Sequence, residues 1–496
     1  MRFKTSAISA AVTAVLGAGG LVGSAQAVNV NPDGLGQAII YPYYTVRNNQ
    51  MTLFSVVNTT AKSKAVKVRF LEGKASYEVL DFNLYLSPND MWAAAVTDNG
   101  TGAQIEVTDH SCTAPIIAAA LTRPDGNPGP GAVAFRNIKY TADTADSSLD
   151  RTREGYIEVI EMGEVIDTYA LNATPVAFGP AITHSGLLNG LPGNCAAINT
   201  AWDLSSGPWF TNHSGSVTAP TGGLAGSAHV INLSAGADIS YDPTTLDNWS
   251  TLTSLHLPPG GENPSLQSAM PTTSNVFTST SASVTSSAWD AGEDAVSAVL
   301  MKSSITNEYI TQADLFAGTD WVVTFPTKRF YVSTSAVADP FEHKYTYGTG
   351  SCDIVTPELF GREEERTSIS GLDFSPEPTT STTSHYLCYE ANVIRFNAVG
   401  SPGYSPLGSV TYPAGLGKQL VGTYPNGWAR LTFPTDPDAT VSATNHTLVS
   451  NSGQTYHGLP SVGFAVIDYA AGNGAALAGY GSSFNHKGTR TISGGG

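Results

Sequence analysis

Ala65-Val66-Lys67-Val68-Arg69-Phe70, followed ten residues later by Leu80-Asp81-Phe82-Asn83-Leu84-Tyr85-Leu86, alternates apolar and polar side chains with a period of two. That period is a strand's, because successive side chains point to opposite faces of a sheet. Val66, Val68 and Phe70 belong to one face, Lys67 and Arg69 to the other. Leu80, Phe82, Leu84 and Leu86 likewise oppose Asp81, Asn83 and Tyr85. The two segments supply the inner face of one sheet, with their charged residues expected toward water.

Other segments are apolar on both faces and read as central strands: 131–135, 156–162, 321–325 and 462–469. Asp98-Asn99-Gly100 between Trp92–Val96 and Gln104–Val107 has the residues of a tight hairpin, as does Pro425-Asn426-Gly427 before 428–433. Helices are few. Asn194 caps a short one that carries Cys195, Ile198, Ala201 and Trp202 on one stripe; 293–302 and 113–121 are two further candidates. The expected fold is mainly β: two antiparallel β-sandwich units, Ig-like or jelly-roll-like, with a few short helices.

Residues 1–27 read as a signal peptide, with Arg2 and Lys4 ahead of a small apolar run and Ala25-Gln26-Ala27 as the cleavage site. The expected domains are 28–262 and 290–496. Between them, 263–289 is a Ser/Thr-rich linker or long loop, since 11 of the 17 residues from Pro271 to Ser287 are Ser or Thr. A second such run, 375–384, reads as a loop.

Only 13% of the residues are charged, about half the usual share. Removing residues 1–27 takes Arg2 and Lys4 away and leaves 22 basic against 41 acidic side chains, a formal charge of −19. Polyanions are repelled by such a chain, so nucleic acid is not an expected partner. Beyond residue 27 no apolar stretch reaches the length of a transmembrane segment. Cys112, Cys195, Cys352 and Cys388 contain no C-x-x-C spacing, and an even count in an exported chain implies two disulfides, with Cys112–Cys195 and Cys352–Cys388 the preferred pairing of three.

No G-x-S-x-G elbow, phosphate-binding glycine loop, H-E-x-x-H helix or EF-hand loop occurs. Gly472-Asn473-Gly474 has the wrong spacing for a dinucleotide fingerprint and reads as a turn. His110 near Cys112 and His343 beside Glu342 are the suggestive histidines. Glu158 and Glu161, three apart on a strand, point to opposite faces and so do not pair as glycosidase carboxylates do. Glu363, Glu364 and Glu365 between Arg362 and Arg366 form a solvated charge run. Asp238, Asp242 and Asp247 are oxygen ligands suited to calcium, at irregular spacing. Tyr41, Tyr43, Tyr44, Trp202, Trp209, Trp249 and Trp289 include candidates for a sugar-stacking platform. No catalytic residue, cofactor or metal is assigned.

The segments 36–46 (GQAIIYPYYTV), 80–88 (LDFNLYLSP), 319–328 (TDWVVTFPTK), 386–390 (YLCYE) and 462–468 (VGFAVID) resemble an uncharacterised family of exported, β-rich cell-surface proteins of Gram-negative bacteria. The resemblance implies secretion and a β fold, and transfers no site residue. The functional expectation is a non-enzymatic secreted or cell-surface structural or adhesion protein, its partner a cell-surface, matrix or polysaccharide component or a second copy of itself. The alternative is a secreted carbohydrate-active or carbohydrate-binding protein that uses paired carboxylates and aromatic platforms. Cell surface, extracellular space and periplasm are all open to it.

Overall fold

The alternating stretches pair as their period requires in the computed structural model: Lys64–Glu72 and Glu78–Leu86 run antiparallel, with Val66 opposite Leu84, Val68 opposite Phe82 and Phe70 opposite Leu80. The structure describes residues 26–117, 131–166, 169–171, 174–176, 178–185, 190–278, 283–368, 385–398, 404–422, 424–435, 446–470 and 479–494. The expectations for 1–25, 375–384 and 472–474 lie outside them, as do residues 118–121 of one helix candidate. Its start, Cys112–Ala114, is a strand.

The fold is mainly β, built from several antiparallel sheets with a few short helices and no closed barrel. Seven strands make the first sheet, in the order Asn29–Val30, Thr244–Asp247, Ala38–Thr45, Glu154–Glu164, Lys64–Glu72, Glu78–Leu86, Cys112–Ala114. The second runs Ala237–Tyr241, Ala228–Asn232, Met51–Asn58, Met91–Asp98, Ala103–Val107, Gly131–Ala134, with Leu224–Ala225 beside Met51–Asn58. These two sheets face each other across an aromatic seam. Phe54 meets Phe70 edge-on at 5.7 Å between centroids, and Phe82 meets Trp92 at 5.6 Å. Each such pair adds about 0.5–1.5 kcal/mol beyond the area it buries.

The third sheet orders Arg366–Ser368, Asp353–Gly361, Asn426–Thr432, Ser304–Ile310 and Lys487–Thr489, and the fourth Gly417–Gly422, Ala391–Ala398, Ala317–Thr324, Phe464–Ala470 and Gly479–Asn485. In the fourth, Ala391–Ala398 and Gly417–Gly422 pair in parallel. Tyr309 of the third sheet stacks on Phe396 of the fourth at 5.0 Å. On the fourth sheet's other face, Val322, Val393, Phe464 and Val466 join the apolar cluster of the first two sheets. Tyr241 stacks on Phe464 at 4.3 Å, and the Thr324 hydroxyl donates to the Pro42 carbonyl at 2.6 Å. Burial on both faces is why 321–325 and 462–469 carry apolar residues on both faces.

The boundary expected at 263–289 takes a different form. Thr273–Thr278 and Ser283–Ala288 pair as a hairpin, not as an unstructured linker. Trp289, 4% exposed, donates from its indole to the Ser274 hydroxyl at 2.8 Å, and Ser287 bonds the Tyr456 hydroxyl at 2.8 Å. Val28 pairs with Ser274 and is fully buried. Several hydroxyls that make this stretch resemble a linker, those of Ser274, Ser286 and Ser287 among them, are engaged in hydrogen bonds to Trp289, Asn275 and Tyr456. One apolar cluster runs from Val28 and Ala38 through Trp289 to Leu431 and Tyr456, so the core continues across the boundary.

Asn194 accepts at its side chain from the Ala197 amide at 3.2 Å and starts the helix Cys195–Ala201. That helix, Phe178–Ile182 and Pro208–Thr211 cap the outer face of the first sheet, where Trp209 stacks on Tyr85 at 5.3 Å. Gly292–Leu300 is the remaining longer helix, burying Val296, Val299 and Leu300 as its pattern requires. The cysteines form two disulfides, Cys112–Cys195 and Cys352–Cys388. No helix among the described residues is long and apolar enough to cross a membrane. At the Asp98-Asn99-Gly100 turn only Gly100 takes a positive φ, +88°. Asn99 instead accepts from the amides of Thr101 and Gly102 with its side chain, giving a wider loop than the expected two-residue turn.

Candidate functional site

The charged face of the first sheet, expected in water, is buried. Lys67 and Arg69 have no exposed surface. Lys67 pairs with Asp81, while Arg69 donates to Glu78 at 2.7 Å and to Glu158 at 2.6 Å. Residues 256–260 lie across them. The Gly260 amide donates to Asp81 at 2.7 Å, Asn83 donates to the Leu257 carbonyl at 2.9 Å, and Tyr85 bonds His256 at 3.0 Å. At the other end of the same strands Arg151 forks onto both Glu72 oxygens at 2.7 and 2.9 Å and reaches Asp143 at 2.7 Å. Glu161 points to the face opposite Glu158 and accepts from Lys64 at 2.7 Å and from the amides of Thr221 and Gly222. Buried charge is tolerable only when paired in this way, so these acids are committed to structure.

A cleft opens where the two halves meet. Its cavity is about 340 Å³, and its walls include Ser76, Tyr77, Glu78, Glu262, Arg329 and Tyr347 together with Tyr345 and Glu390. Tyr345 is held by its hydroxyl donating to Asp143 at 2.9 Å, and its ring meets Tyr347 edge-on at 6.0 Å. The Arg151 guanidinium lies 5.5 Å from the Tyr77 ring. The aromatic walls are therefore fixed by the ionic cluster beneath them.

The three carboxyls differ in their surroundings. Burial pushes Glu390 up to about 8 against the pull of Lys328, a Ser76 hydrogen bond and Arg329. Burial also raises Glu78 against the pull of Arg69. The Lys139 ammonium, 2.9 Å away, holds Glu262 below the usual range. Glu390 Oε2 and Arg329 Nε are buried without a hydrogen-bond partner. A cleft whose wall contains a carboxyl raised by burial, a carboxyl lowered by a lysine and a guanidinium with one unpaired N–H has the means to bind a hydroxylated ligand through several hydrogen bonds.

Glu390 also sets a pH dependence. A carboxyl raised in the folded state binds its proton more tightly there than unfolded, so stability falls as pH rises from its unfolded value toward about 8 and levels above that. Glu390→Gln should flatten the decline of the urea midpoint between pH 5 and 8. Parallel wild-type and variant profiles would contradict it.

The sequence-derived candidates mostly take structural positions. Tyr41, Tyr43, Tyr44, Trp209 and Trp249 have no exposed surface, and Trp202 and Trp289 are 8% and 4% exposed, so none forms the expected platform. They are core because their rings pack on one another and on the sheets, as Trp202 and Trp209 do at 5.4 Å. Asp238, Asp242 and Asp247 are not drawn into one ligand set among the described residues. Asp238 sits 3.1 Å from His229 instead. His110 and Glu363, Glu364 and Glu365 are exposed. His343 turns to the Cys352 carbonyl at 2.5 Å, whereas its neighbour Glu342 faces a buried His446. Glu390, Tyr345 and Tyr347 carry no sequence signal for chemistry; Glu390 ends the YLCYE segment, and no local spacing marks it. No protein-family model matches the chain, and neither a curated protein nor a solved structure matches it.

Proposed function

We propose that this chain is an exported, non-enzymatic surface or extracellular protein that binds a neutral glycan in the cleft between its halves. The carrying observation is the cleft itself, where Tyr77 and Tyr347, with Tyr345 packed behind them, stand beside Glu262, Arg329 and Glu390. Aromatic faces stack on the apolar faces of sugar rings, and the charged and amide groups take the hydroxyls. Export rests on residues 1–27, the two disulfides are compatible with it, and the acidic balance disfavours a polyanionic glycan.

Titration of the purified protein against neutral oligosaccharides should give saturable binding that Tyr347→Ala weakens about tenfold, the order of a lost stacking contact of about 1–1.5 kcal/mol. Absence of binding across such a set, or equal affinity of the variant, overturns the reading. A second reading is favoured by the opposite directions in which the surroundings shift Glu390 and Glu262, two carboxyls that line a single cleft. Paired acids pushed apart in this way suit glycoside hydrolysis, with Glu390 as proton donor. Release of reducing ends by the wild type and its loss in Glu390→Gln would replace the binding role with an enzymatic one.

A further inference from the structure

We propose that Glu342, Asp353 and His446 bind a divalent transition metal, zinc by preference, as a buried three-ligand clasp on the C-terminal half. One donor atom from each of these residues lies within 4.8 Å of the other two, and this is the single such group among the described residues. His446 Nε2 is 3.4 Å from Glu342 Oε1 and 3.8 Å from Asp353 Oδ1. A tetrahedral ion with bonds of about 2.0–2.1 Å spaces its ligands about 3.4 Å apart, so the three atoms already sit near that separation.

The second observation is the unmet hydrogen bonding. Both ring nitrogens of His446 and Glu342 Oε1 are buried with no hydrogen-bond partner, and the side chains of all three residues have no exposed surface. A hydrogen-bonded triad would close to about 2.7–2.9 Å and satisfy these atoms. An ion between them satisfies Nε2 and Oε1 together.

The surrounding groups aim the carboxylates inward. Glu342 Oε2 accepts from the Ile354 amide at 3.1 Å, leaving Oε1 for the centre. Asp353 Oδ2 is occupied by the Lys328 ammonium at 2.5 Å, and Oδ1 accepts from the Glu342 amide at 2.9 Å while facing His446. Outer partners of this kind fix ligand orientation. One nitrogen and two carboxylate oxygens suit zinc or a neighbouring transition ion; calcium requires six or more oxygens. Three protein ligands leave the fourth position of a tetrahedral ion to a small ligand such as water, and full burial of the three side chains keeps larger substrates from it, so the role assigned is structural. The ion would join the stretch before Asp353–Gly361 to that strand and to the start of Thr447–Val449, beside the Cys352–Cys388 disulfide.

The test uses the exported chain, oxidised, stripped with a chelator and then titrated with zinc chloride against a chromophoric competitor. One zinc per chain is expected, with a rise in Tm, and at least a tenfold loss of affinity in both His446→Ala and Glu342→Gln. If those variants do not fold, cobalt loaded into the wild type decides: visible d–d bands of a low-coordinate nitrogen and oxygen site support the clasp, and an aqueous-type cobalt spectrum overturns it. No bound zinc, or zinc held equally by wild type and folded variants, also overturns it.

Discussion

Arg151→Ala is expected to lower the free energy of unfolding by about 3–5 kcal/mol, the cost of breaking a buried ion pair from one side. The Arg151 side chain has no exposed surface and holds both oxygens of Glu72 together with Asp143. Its guanidinium also lies 4.6 Å from the Tyr140 ring. Alanine removes the cation that forks onto Glu72 and leaves two carboxylates in a low-dielectric interior, where each repels the other. Glu72 does retain the amides of Lys74, Ala75 and Tyr77 as donors, at 2.7, 3.0 and 3.0 Å. Those bonds reduce the penalty without cancelling it, since an amide offers only a partial charge. The urea midpoint at pH 7 reads the change directly. Lys139→Ala is the contrast: its pair with Glu262 is exposed on both sides, 42% and 59%, and such pairs contribute about 0–1 kcal/mol. Similar midpoints for the two variants would mean that water reaches the Arg151 cluster and that the tyrosine walls of the cleft are not held from below.

That contrast also separates what the sequence reveals from what it hides. Val66, Val68, Phe70, Phe82 and Leu84 are assigned correctly to a buried inner face because strand geometry is local and the period of two is unbroken. Lys67 and Arg69 obey the same period and are misassigned to solvent. The chain that covers them, residues 256–260, is about 190 residues away, and nothing near Arg69 announces it. Periodicity tells which residues share a face; it does not tell what lies over that face. The same limit explains the aromatics: Trp209 is recognisable as a large ring but its partner Tyr85 is distant. Glu342, Asp353 and His446 meet only after folding, so no ligand spacing is printed in the chain. Cysteines differ because their chemistry allows few outcomes: four of them permit three pairings, and the preferred one is the pairing found. The hairpin at 273–288 fails for a compositional reason. Serine and threonine are frequent in disordered linkers, yet threonine is also a strand former, and Val276 and Trp289 are buried beside the pair.

Cys112→Ala with Cys195→Ala is expected to cost about 4.5 kcal/mol, from the freedom that an unfolded chain regains when a closure of 83 residues is opened. The bond does more than shorten that loop. It fastens the helix Cys195–Ala201 to Cys112–Ala114, the edge strand of the first sheet, and so keeps Trp202 and Trp209 over Tyr85. Trp202 donates from its indole to the Tyr85 hydroxyl at 2.8 Å, a bond that ends when the helix lifts. Opening Cys352–Cys388 frees 36 residues, and the same chain-entropy relation makes its effect about 0.7 kcal/mol smaller. Urea denaturation of the double-alanine proteins, with and without reductant on the wild type, ranks the two bonds. A reversed ranking would show that native contacts around each bond, not loop length, govern the loss. The comparison bears on export as well. A chain that loses several kcal/mol without its bridges should be recovered in lower yield when residues 1–27 are deleted and synthesis is confined to a reducing cytoplasm than when the full chain is sent to an oxidising compartment. Equal yield and equal midpoint from the two routes would remove the need for that compartment, and with it the physical argument that ties this fold to the outside of the cell.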